Sequence, residues 1–341
     1  MHHKVVCFGE IMLRLAPPGY QRFQQAAAFE AVYGGGEANV AVSLANFGID
    51  ASYVSKIPDN PIGQSAINEL RRYGVDTSKI LRGGERLGIY FLEKGASQRP
   101  SIVIYDRKYS SISEVNLGEF DWSSIFSGAK HFHFTGITPA LSKNAADVTL
   151  EACKAAKKLG IPISCDLNYR KNLWTPAQAG EVMSGLMDYV DLCIANEEDA
   201  EKVFGISANE TDVAGGRLNH EAYKQVAGKL RDKFGFKKVA ITLRESMSAD
   251  DNIWSAMIYD GENYHFSQKY SIHIVDRVGG GDSFAAGLIY GGLTGMPDAQ
   301  ALEFAVAASC LKHSVEGDAN HVSVAEVAAL MGGDASGRVK R

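Results

Sequence analysis

Residues 275–287 read Val-Asp-Arg-Val-Gly-Gly-Gly-Asp-Ser-Phe-Ala-Ala-Gly, a glycine-rich turn followed by small and apolar residues that predict a helix. The unpaired amides and positive end of such a helix favour a phosphate group, and glycine lets the main chain approach it closely. Asp282, the predicted first residue of the helix, would be ionised at pH 7 and able to accept a proton from a hydroxyl. The segment indicates a phosphoryl-transfer site or, equally well on these residues alone, a glycine turn with a helix-capping aspartate.

The glycines of this turn, Gly279, Gly280 and Gly281, are predicted to form an anion hole with their main-chain amides. A side chain at Gly280 would then occupy space that the phosphoryl group needs, so Gly280→Val is predicted to lower turnover more than stability. A second glycine run, at residues 34–36, also stands immediately before a helical pattern, Glu37 to Phe47.

Strand and helix patterns alternate along most of the chain. The runs that predict strands are Val5 to Phe8, Ser52 to Ile57, His131 to Phe134, Ile161 to Asp166, Asp191 to Ala195 and Lys238 to Leu243. Ser142 to Leu159 predicts a helix whose last residue, Leu159, faces inward. Asn60 and Asn196 stand where helix caps are expected. This alternation predicts a single α/β domain over residues 1–341, with a mostly parallel sheet flanked by helices.

Two stretches interrupt the alternation. Residues 12–33 and about 87–112 have strand-like patterning with no helix between the strands, as in Ile102-Val103-Ile104-Tyr105. We expect them to form an antiparallel piece added to the sheet, a small lid rather than an independent domain.

Composition and missing motifs exclude several functions. The chain has 341 residues and a net charge of −5, which leaves no basic footprint for nucleic acid. No apolar run approaches the ~20 residues of a membrane helix, and the amino terminus has no signal-peptide pattern, so a cytoplasmic protein is expected. The five cysteines form no CxxC pair and predict neither disulfides nor a zinc site. P-loop, GxSxG and HExxH motifs are absent, as is GxGxxG after the first strand.

The two glycine segments resemble the signatures of the PfkB (ribokinase-like) carbohydrate kinases. Residues 34–41 and 44–48, Gly-Gly-Gly-Glu-Ala-Asn-Val-Ala and Leu-Ala-Asn-Phe-Gly, are similar to the amino-terminal signature, and residues 276–282 to the carboxyl-terminal one. They lie more than 200 residues apart in the family's order, so the resemblance spans nearly the whole chain. It implies a ribokinase-like fold with a β-stranded lid, ATP and Mg²⁺ as cofactors, and Asp282 as the catalytic base.

Several positions depart from the family pattern, including Pro58, which stands where glycine is usual. Arg277 stands where threonine is usual, and Asp199 replaces the glutamate of an Asn-x-x-Glu motif that begins at Asn196. The stretch from Thr242 lacks a glycine that often follows. The resemblance implies nucleotide contacts from Asn196, Thr242, Gly279 and Gly281, and a metal contact from Asp199.

Further segments resemble the 2-keto-3-deoxygluconate kinases within that family, among them residues 87–90, 105–107 and 166–174. The resemblance implies substrate contacts from Gly35, Asn39, Tyr90, Tyr105, Arg107, Ile137, Arg170, Asp282 and Asp318. Guanidinium groups pair well with carboxylates, and tyrosine rings offer a face to a carbon chain, so these residue types suit a sugar acid. The expected reaction is phosphorylation of the 6-hydroxyl of 2-keto-3-deoxygluconate by ATP.

Two other functions stay open at this point. A kinase of the same fold that acts on a neutral sugar, such as ribose or fructose, would need hydroxyl-binding groups rather than arginines. A catalytically silent sugar-binding or regulatory protein would have no need of Asp282 beside an anion hole. The sequence also leaves open whether the acid is of the gluconate or the galactonate type. The resemblance implies a homodimer or higher oligomer that associates through the lid strands.

Overall fold

Strands and helices alternate through the chain, for which the computed structural model describes residues 3–207 and 220–334. The strands are β1 Lys4–Phe8, β2 Met12–Ala16, β3 Glu30–Gly34, β4 Asp50–Val54, β5 Lys56–Ile57, β6 Leu81–Arg82, β7 Gly88–Glu93, β8 Ile102–Asp106, β9 Ala129–Thr135, β10 Ile163–Asp166, β11 Leu192–Asn196, β12 Lys238–Ser246, β13 Asp251–Tyr259, β14 Tyr264–Phe266 and β15 Tyr270–His273. The helices are α1 Gly36–Asn46, α2 Pro61–Arg72, α3 Trp122–Ile125, α4 Ile137–Ala140, α5 Lys143–Lys158, α6 Pro176–Met187, α7 Glu197–Phe204, α8 His220–Phe234, α9 Gly280–Thr294, α10 Asp298–Lys312 and α11 Val324–Met331. The remaining residues of the predicted domain lie outside the described part.

The central sheet has the strand order β14-β13-β12-β11-β10-β9-β1-β4, and β15 also pairs with β13. Strands β4, β1, β9, β10, β11 and β12 are parallel to one another. At one edge, β13 pairs antiparallel with β12, β14 and β15. The predicted mostly parallel α/β sheet is therefore confirmed.

Helices cover both faces of this sheet, because successive side chains of a strand point to opposite sides. Along β1, Val6 and Phe8 pack into a core that contains side chains of α5, α6 and α8. Val5 and Cys7 pack into a second core, with side chains of α1, α9 and α10. Among the helices of the described ranges, none is both long enough and apolar enough to span a bilayer.

The lid is a separate sheet with the order β3-β2-β7-β8, which corrects the predicted antiparallel addition to the central sheet. Strand β2 pairs antiparallel with β3 but parallel with β7, and β7 pairs antiparallel with β8. The parallel pair is possible because β2 and β7 come from distant segments, so no hairpin forces them to be antiparallel. The prediction of lid strands in both segments is confirmed.

Local sequence signals account for several element ends. The side chain of Asn60 accepts a hydrogen bond from the Gly63 amide at 2.9 Å, and Asn196 caps α7 in the same way. Leu159 was wrongly predicted to face inward: it is 54% exposed, because α5 ends at the preceding residue and its periodicity no longer applies. The predicted strand 52–57 is split into β4 and β5, since β5 pairs with β6 in a separate small sheet.

Candidate active site

A cavity of about 410 Å³ opens at the carboxyl ends of the parallel strands, where open α/β sheets bind their ligands. Asp166 and Asn196, the last residues of β10 and β11, line it from the central sheet. Met12, Tyr90 and Tyr105 line it from the lid. The cavity therefore lies between the two sheets, and its volume is in the range of small-molecule sites.

The cavity brings together every site residue proposed from the sequence except Gly280. The proposed substrate residues that line it are Gly35, Asn39, Tyr90, Tyr105, Arg107, Ile137, Arg170, Asp282 and Asp318. The proposed nucleotide and metal residues that line it are Asn196, Asp199, Thr242, Gly279 and Gly281. Which ligand each residue contacts stays a prediction.

The glycine-rich turn begins α9 two residues earlier than predicted, at Gly280 rather than Asp282. Gly279 is the N-cap, with φ of 83°, and a Cβ there would lie 1.9 Å from the carbonyl oxygen of Asp318, so a side chain does not fit. Asp282 is the third helical residue, still within the first turn and near the positive helix end. In the described chain, the amides of Gly281 and Asp282 have no recorded acceptor, as expected at a helix start.

Gly280 does not line the cavity, so the structure adds no support for its place in the predicted anion hole. Its amide donates a hydrogen bond to the Arg277 carbonyl at 3.4 Å, and a Cβ there would lie 2.4 Å from Cε1 of the buried His313. Gly281 lines the cavity, and a Cβ there would meet nothing within 4 Å beyond its own helix. The structure therefore changes the expected effect of Gly280→Val, which should destabilise the fold. A side chain at Gly281, rather than at Gly280, would enter the space proposed for the phosphoryl group.

Asp282 has the orientation and the basicity of a proton acceptor. Its Oδ2 accepts a hydrogen bond from Asn39 Nδ2 at 2.7 Å. Burial raises the pKa of Asp282 to about 6, although the Asn39 hydrogen bond opposes the shift. The charge of Asp318 also raises this pKa, whereas Arg170 and Lys312 lower it. The carboxylate is ionised at pH 7 but more basic than an exposed aspartate.

Asp166 is a further buried carboxylate of the cavity, to which the sequence analysis gave no role. Burial, followed by the charges of Asp199 and Asp282, raises the pKa of Asp166 well above its ordinary value. Burial likewise raises the pKa of Asp199. Carboxylates that disfavour one another's ionisation would be stabilised by a cation. The signal that could have identified Asp166 is its position at the carboxyl end of a predicted parallel strand.

The carboxylates fit a magnesium ion that is bound partly through phosphate. Asp199 also caps α7, since its Oδ1 accepts from the Tyr169 amide at 3.0 Å and its Oδ2 from the Asn196 amide at 3.2 Å, which leaves lone pairs on both oxygens. Within residues 3–207 and 220–334, no group of three or more His, Cys, Asp or Glu side chains could hold a metal. Mg²⁺ usually binds one or two carboxylates together with substrate phosphates. Asp166 and Asp199, whose charges interact, are the candidate carboxylates.

Arg14, which the sequence analysis did not identify, connects two loops beside the cavity. Its Nη2 contacts Asp276 Oδ2 at 2.6 Å and its Nη1 contacts Asp318 Oδ1 at 2.8 Å, and all three side chains are buried. The Tyr90 hydroxyl donates a hydrogen bond to the other oxygen of Asp318. Asp318 is therefore held by the protein through both oxygens, so its predicted contact with substrate would use the remaining lone pairs.

The two predicted carboxylate-binding arginines lie in different surroundings. Arg107 forms a buried ion pair with Glu10, with Nε 2.8 Å from Oε2, and its guanidinium lies 5.3 Å from the ring centroid of Tyr105. For Arg170, the described residues provide no recorded ion pair, and its recorded hydrogen bond goes from Nη1 to the Tyr169 carbonyl at 3.2 Å. Arg170 is therefore the more available of the two for an anionic ligand.

Sugar kinases of known structure share this fold. A fructokinase from Xylella fastidiosa, solved with bound ATP, has a TM-score of 0.77 and 20% identity, and the match covers 98% of this chain and 100% of that one. The family model described as pfkB family carbohydrate kinase matches residues 2–324. The chain therefore belongs to the PfkB family of carbohydrate kinases, which confirms the family that the two glycine signatures predicted.

Relatives with a named activity cover almost the entire chain. A 2-dehydro-3-deoxygluconokinase from Thermotoga maritima, of known structure, has 53% identity and a TM-score of 0.94, over 97% of this chain and 99% of that one. A 2-dehydro-3-deoxygalactonokinase from Haloferax volcanii is 32% identical over 98% of this chain and 99% of its own. A 2-dehydro-3-deoxygluconokinase from Bacillus subtilis is 29% identical over 92% of this chain and 90% of its own.

Proposed function

We propose that the protein is an ATP- and Mg²⁺-dependent kinase that phosphorylates the 6-hydroxyl of 2-keto-3-deoxygluconate, also called 2-dehydro-3-deoxygluconate. The observation that carries the proposal is the 53% identity, over nearly the whole chain, to the Thermotoga maritima 2-dehydro-3-deoxygluconokinase. The cavity supports it, because the same space holds a basic carboxylate, a helix start with available amides, and Arg107 and Arg170.

Asp282 carries out the proton transfer in this proposal. Its carboxylate accepts the proton of the 6-hydroxyl as the oxygen of that hydroxyl bonds to the terminal phosphorus of ATP and the bond to the ADP oxygen breaks. The amides of Gly281 and Asp282 stabilise the charge on the transferring group, and the lid limits the access of water. Mg²⁺, when held by Asp166 and Asp199, would neutralise phosphate charge.

The lid side of the cavity suits the acid and the carbon chain of the substrate. The rings of Tyr90 and Tyr105 lie with their centroids 5.9 Å apart and offer apolar faces and hydroxyl groups to a polyhydroxy chain. Arg107 and Arg170 provide guanidinium groups for the carboxylate. On the other side, Thr242 lines the cavity, where we propose that ATP binds.

The galactonate-type acid is the second candidate, favoured by the identity to the Haloferax volcanii 2-dehydro-3-deoxygalactonokinase. The two acids differ in the configuration of the hydroxyl at C4. A neutral sugar is less favoured, because it has no carboxylate for Arg170 to bind. A silent binding protein is less favoured, because a carboxylate oriented by Asn39 at a helix start would then have no chemical role.

Arg170→Leu is expected to raise the KM for the sugar acid roughly tenfold to a hundredfold, the loss that follows when on the order of 1.5–3 kcal/mol of charged hydrogen bonding is removed. Leucine keeps part of the apolar stem, so the packing loss should be small. Because Arg170 also lowers the pKa of Asp282, KM is to be measured at pH 8, where Asp282 stays ionised in both proteins.

Arg277→Leu is the matched control, because Arg277 lines the same cavity on the side proposed for ATP. It should change the KM for ATP and leave the KM for the sugar acid nearly unchanged. An Arg170→Leu enzyme with an unchanged sugar-acid KM, or with a defect only in ATP, would contradict the assignment. A lower melting temperature as its sole defect would show that Arg170 is structural.

Self-association through the lid also stays a proposal. Strand β8 lies at the edge of the lid sheet, and Ile102, Val103, Ile104 and Tyr105 on it are exposed large apolar side chains. An exposed apolar edge strand is prone to pair with another chain. This supports the lid as the surface on which two copies would meet.

A further inference from the structure

A buried lysine lies behind the glycine-rich turn. Lys312, the last residue of α10, is fully buried, which is rare for lysine. Its ammonium group donates hydrogen bonds to the carbonyl oxygens of Asp276 at 3.2 Å, Val315 at 3.2 Å and Gly317 at 2.7 Å. Since an ammonium group has three donors, main-chain oxygens satisfy all of them.

These three carbonyl oxygens form a cage for a cation. Among the described residues, no carboxylate lies within ion-pair distance of the Lys312 ammonium group, so carbonyl oxygens are its direct partners. The charges of Asp276, Asp318 and Asp282 lie farther away and favour its protonated form. Main-chain carbonyl oxygens are also the groups that replace the hydration shell of alkali-metal ions in proteins. Burying a charge is costly, and burial lowers the pKa of Lys312 to about 8. A methionine would fill similar space without that cost, so the site indicates a use for positive charge.

The cage joins the two loops that shape the phosphoryl site. One loop, residues 275–279, leads into α9, and the other, residues 315–318, contributes Asp318 to the cavity. Where they cross, a Cβ on Gly279 would lie 1.9 Å from the Asp318 carbonyl oxygen and 3.3 Å from Cε of Lys312. The Gly317 amide also donates to the Asp276 carboxylate at 3.2 Å. Any expansion of the cage would therefore move the N-cap of α9.

We propose that Lys312 is a positioning residue, whose ammonium group takes the place of an alkali-metal ion in a main-chain carbonyl cage and so holds the start of α9 in the geometry that binds the transferring phosphoryl group. Its loss should lower kcat more than it changes either KM, because amides aimed at developing charge act mainly in the transition state. The proposal rests on the proposed kinase activity but not on which sugar acid is accepted.

The test compares the wild type with Lys312→Ala and Lys312→Met, each assayed in choline chloride and in KCl or NH4Cl at equal ionic strength. The wild type is expected to be equally active in all three salts. Lys312→Ala, which vacates the cage, should lose ~10²-fold in kcat in choline chloride and regain at least tenfold with K⁺ or NH4⁺. Lys312→Met, which fills the space with an uncharged chain, should lose a similar factor without recovery.

Two results would overturn the proposal: a wild type that itself requires K⁺ or NH4⁺, or a folded Lys312→Ala enzyme that responds to neither ion. If both variants fail to fold, the salt dependence of the wild type still tests the proposal, because a requirement for K⁺ or NH4⁺ would overturn it. The melting temperature of Lys312→Ala should also rise with K⁺ while that of the wild type does not. The melting temperature does not depend on turnover. It can therefore test whether the cage binds K⁺ even if the proposed kinase activity is wrong.

Discussion

The Asp282→Asn enzyme is expected to bind the sugar acid with nearly unchanged affinity and to turn it over at least ~10²-fold more slowly, the scale of a lost general base. Asparagine keeps an oxygen that can accept the hydrogen bond from Asn39 Nδ2, now 2.7 Å from Asp282 Oδ2, so the geometry of the site should survive. It cannot accept a proton at neutral pH. Steady-state kinetics and equilibrium binding of the sugar acid measure the two effects separately.

The pH dependence of the wild-type activity is an independent test of Asp282 as the catalytic base. Because burial raises the pKa of Asp282 to about 6, kcat/KM should fall tenfold per pH unit below about pH 6, where the base becomes protonated. The Asp282→Asn enzyme should not show this fall in kcat/KM at low pH. Ionised Asp282 costs stability above about pH 6, since its folded pKa exceeds the unfolded value, so at pH 8 Asp282→Asn should melt no lower than the wild type. Near-normal turnover by the variant would remove Asp282 from the role of base.

Gly281→Val is expected to lower kcat/KM at least ~10²-fold, comparable with the loss of an anion-hole donor, while the protein remains folded. The added side chain enters the open cavity, because a Cβ at Gly281 meets nothing within 4 Å outside its helix. It would displace the phosphoryl group from the amides of Gly281 and Asp282. The measurements are kcat/KM, from initial rates over a range of substrate concentrations, and the melting temperature of the same sample.

Gly280→Val is the matched control, one residue earlier in the same glycine run. Its Cβ would lie 2.4 Å from the His313 ring, so it should cost about 1–3 kcal/mol of stability through overpacking and lower the melting temperature. A Gly281→Val enzyme with normal turnover would show that the phosphoryl group does not bind beside Gly281. A Gly280→Val enzyme as stable as the wild type would show that the His313 ring can move to accept the side chain.

The sequence was sufficient for the features that local chemistry determines. The glycine turn, Asp282, the strand-helix alternation and the caps at Asn60 and Asn196 are local patterns. The sequence could not distinguish Gly280 from Gly281, because both are glycine. The residue that makes their surroundings differ, His313, follows the end of α10. The start of α9 was misplaced because glycine gives weak helix signals, although helical geometry begins at Gly280.

Contacts between distant segments were the main omission. Arg14 is separated by 262 and 304 residues from Asp276 and Asp318. Nothing in the sequence of its own strand distinguishes Arg14 from an ordinary polar strand residue. Lys312 ends an ordinary helix, and its burial depends on carbonyl oxygens of two loops. Asp166 is different, since its position at a strand end was visible in the sequence. What Arg14 and Lys312 do depends on which loops the fold brings together.

The most direct measurement of the central claim is the product formed by the wild-type protein with ATP, Mg²⁺ and a panel of 2-keto-3-deoxygluconate, 2-keto-3-deoxygalactonate, ribose and fructose. Release of ADP is followed by a coupled assay, and the site of phosphorylation by phosphorus–proton correlation in the NMR spectrum. The predicted result is rapid ADP formation with 2-keto-3-deoxygluconate and coupling of phosphorus to the protons of C6. Preference for ribose or fructose, phosphate on another carbon, or sugar-acid binding without ADP release would contradict it.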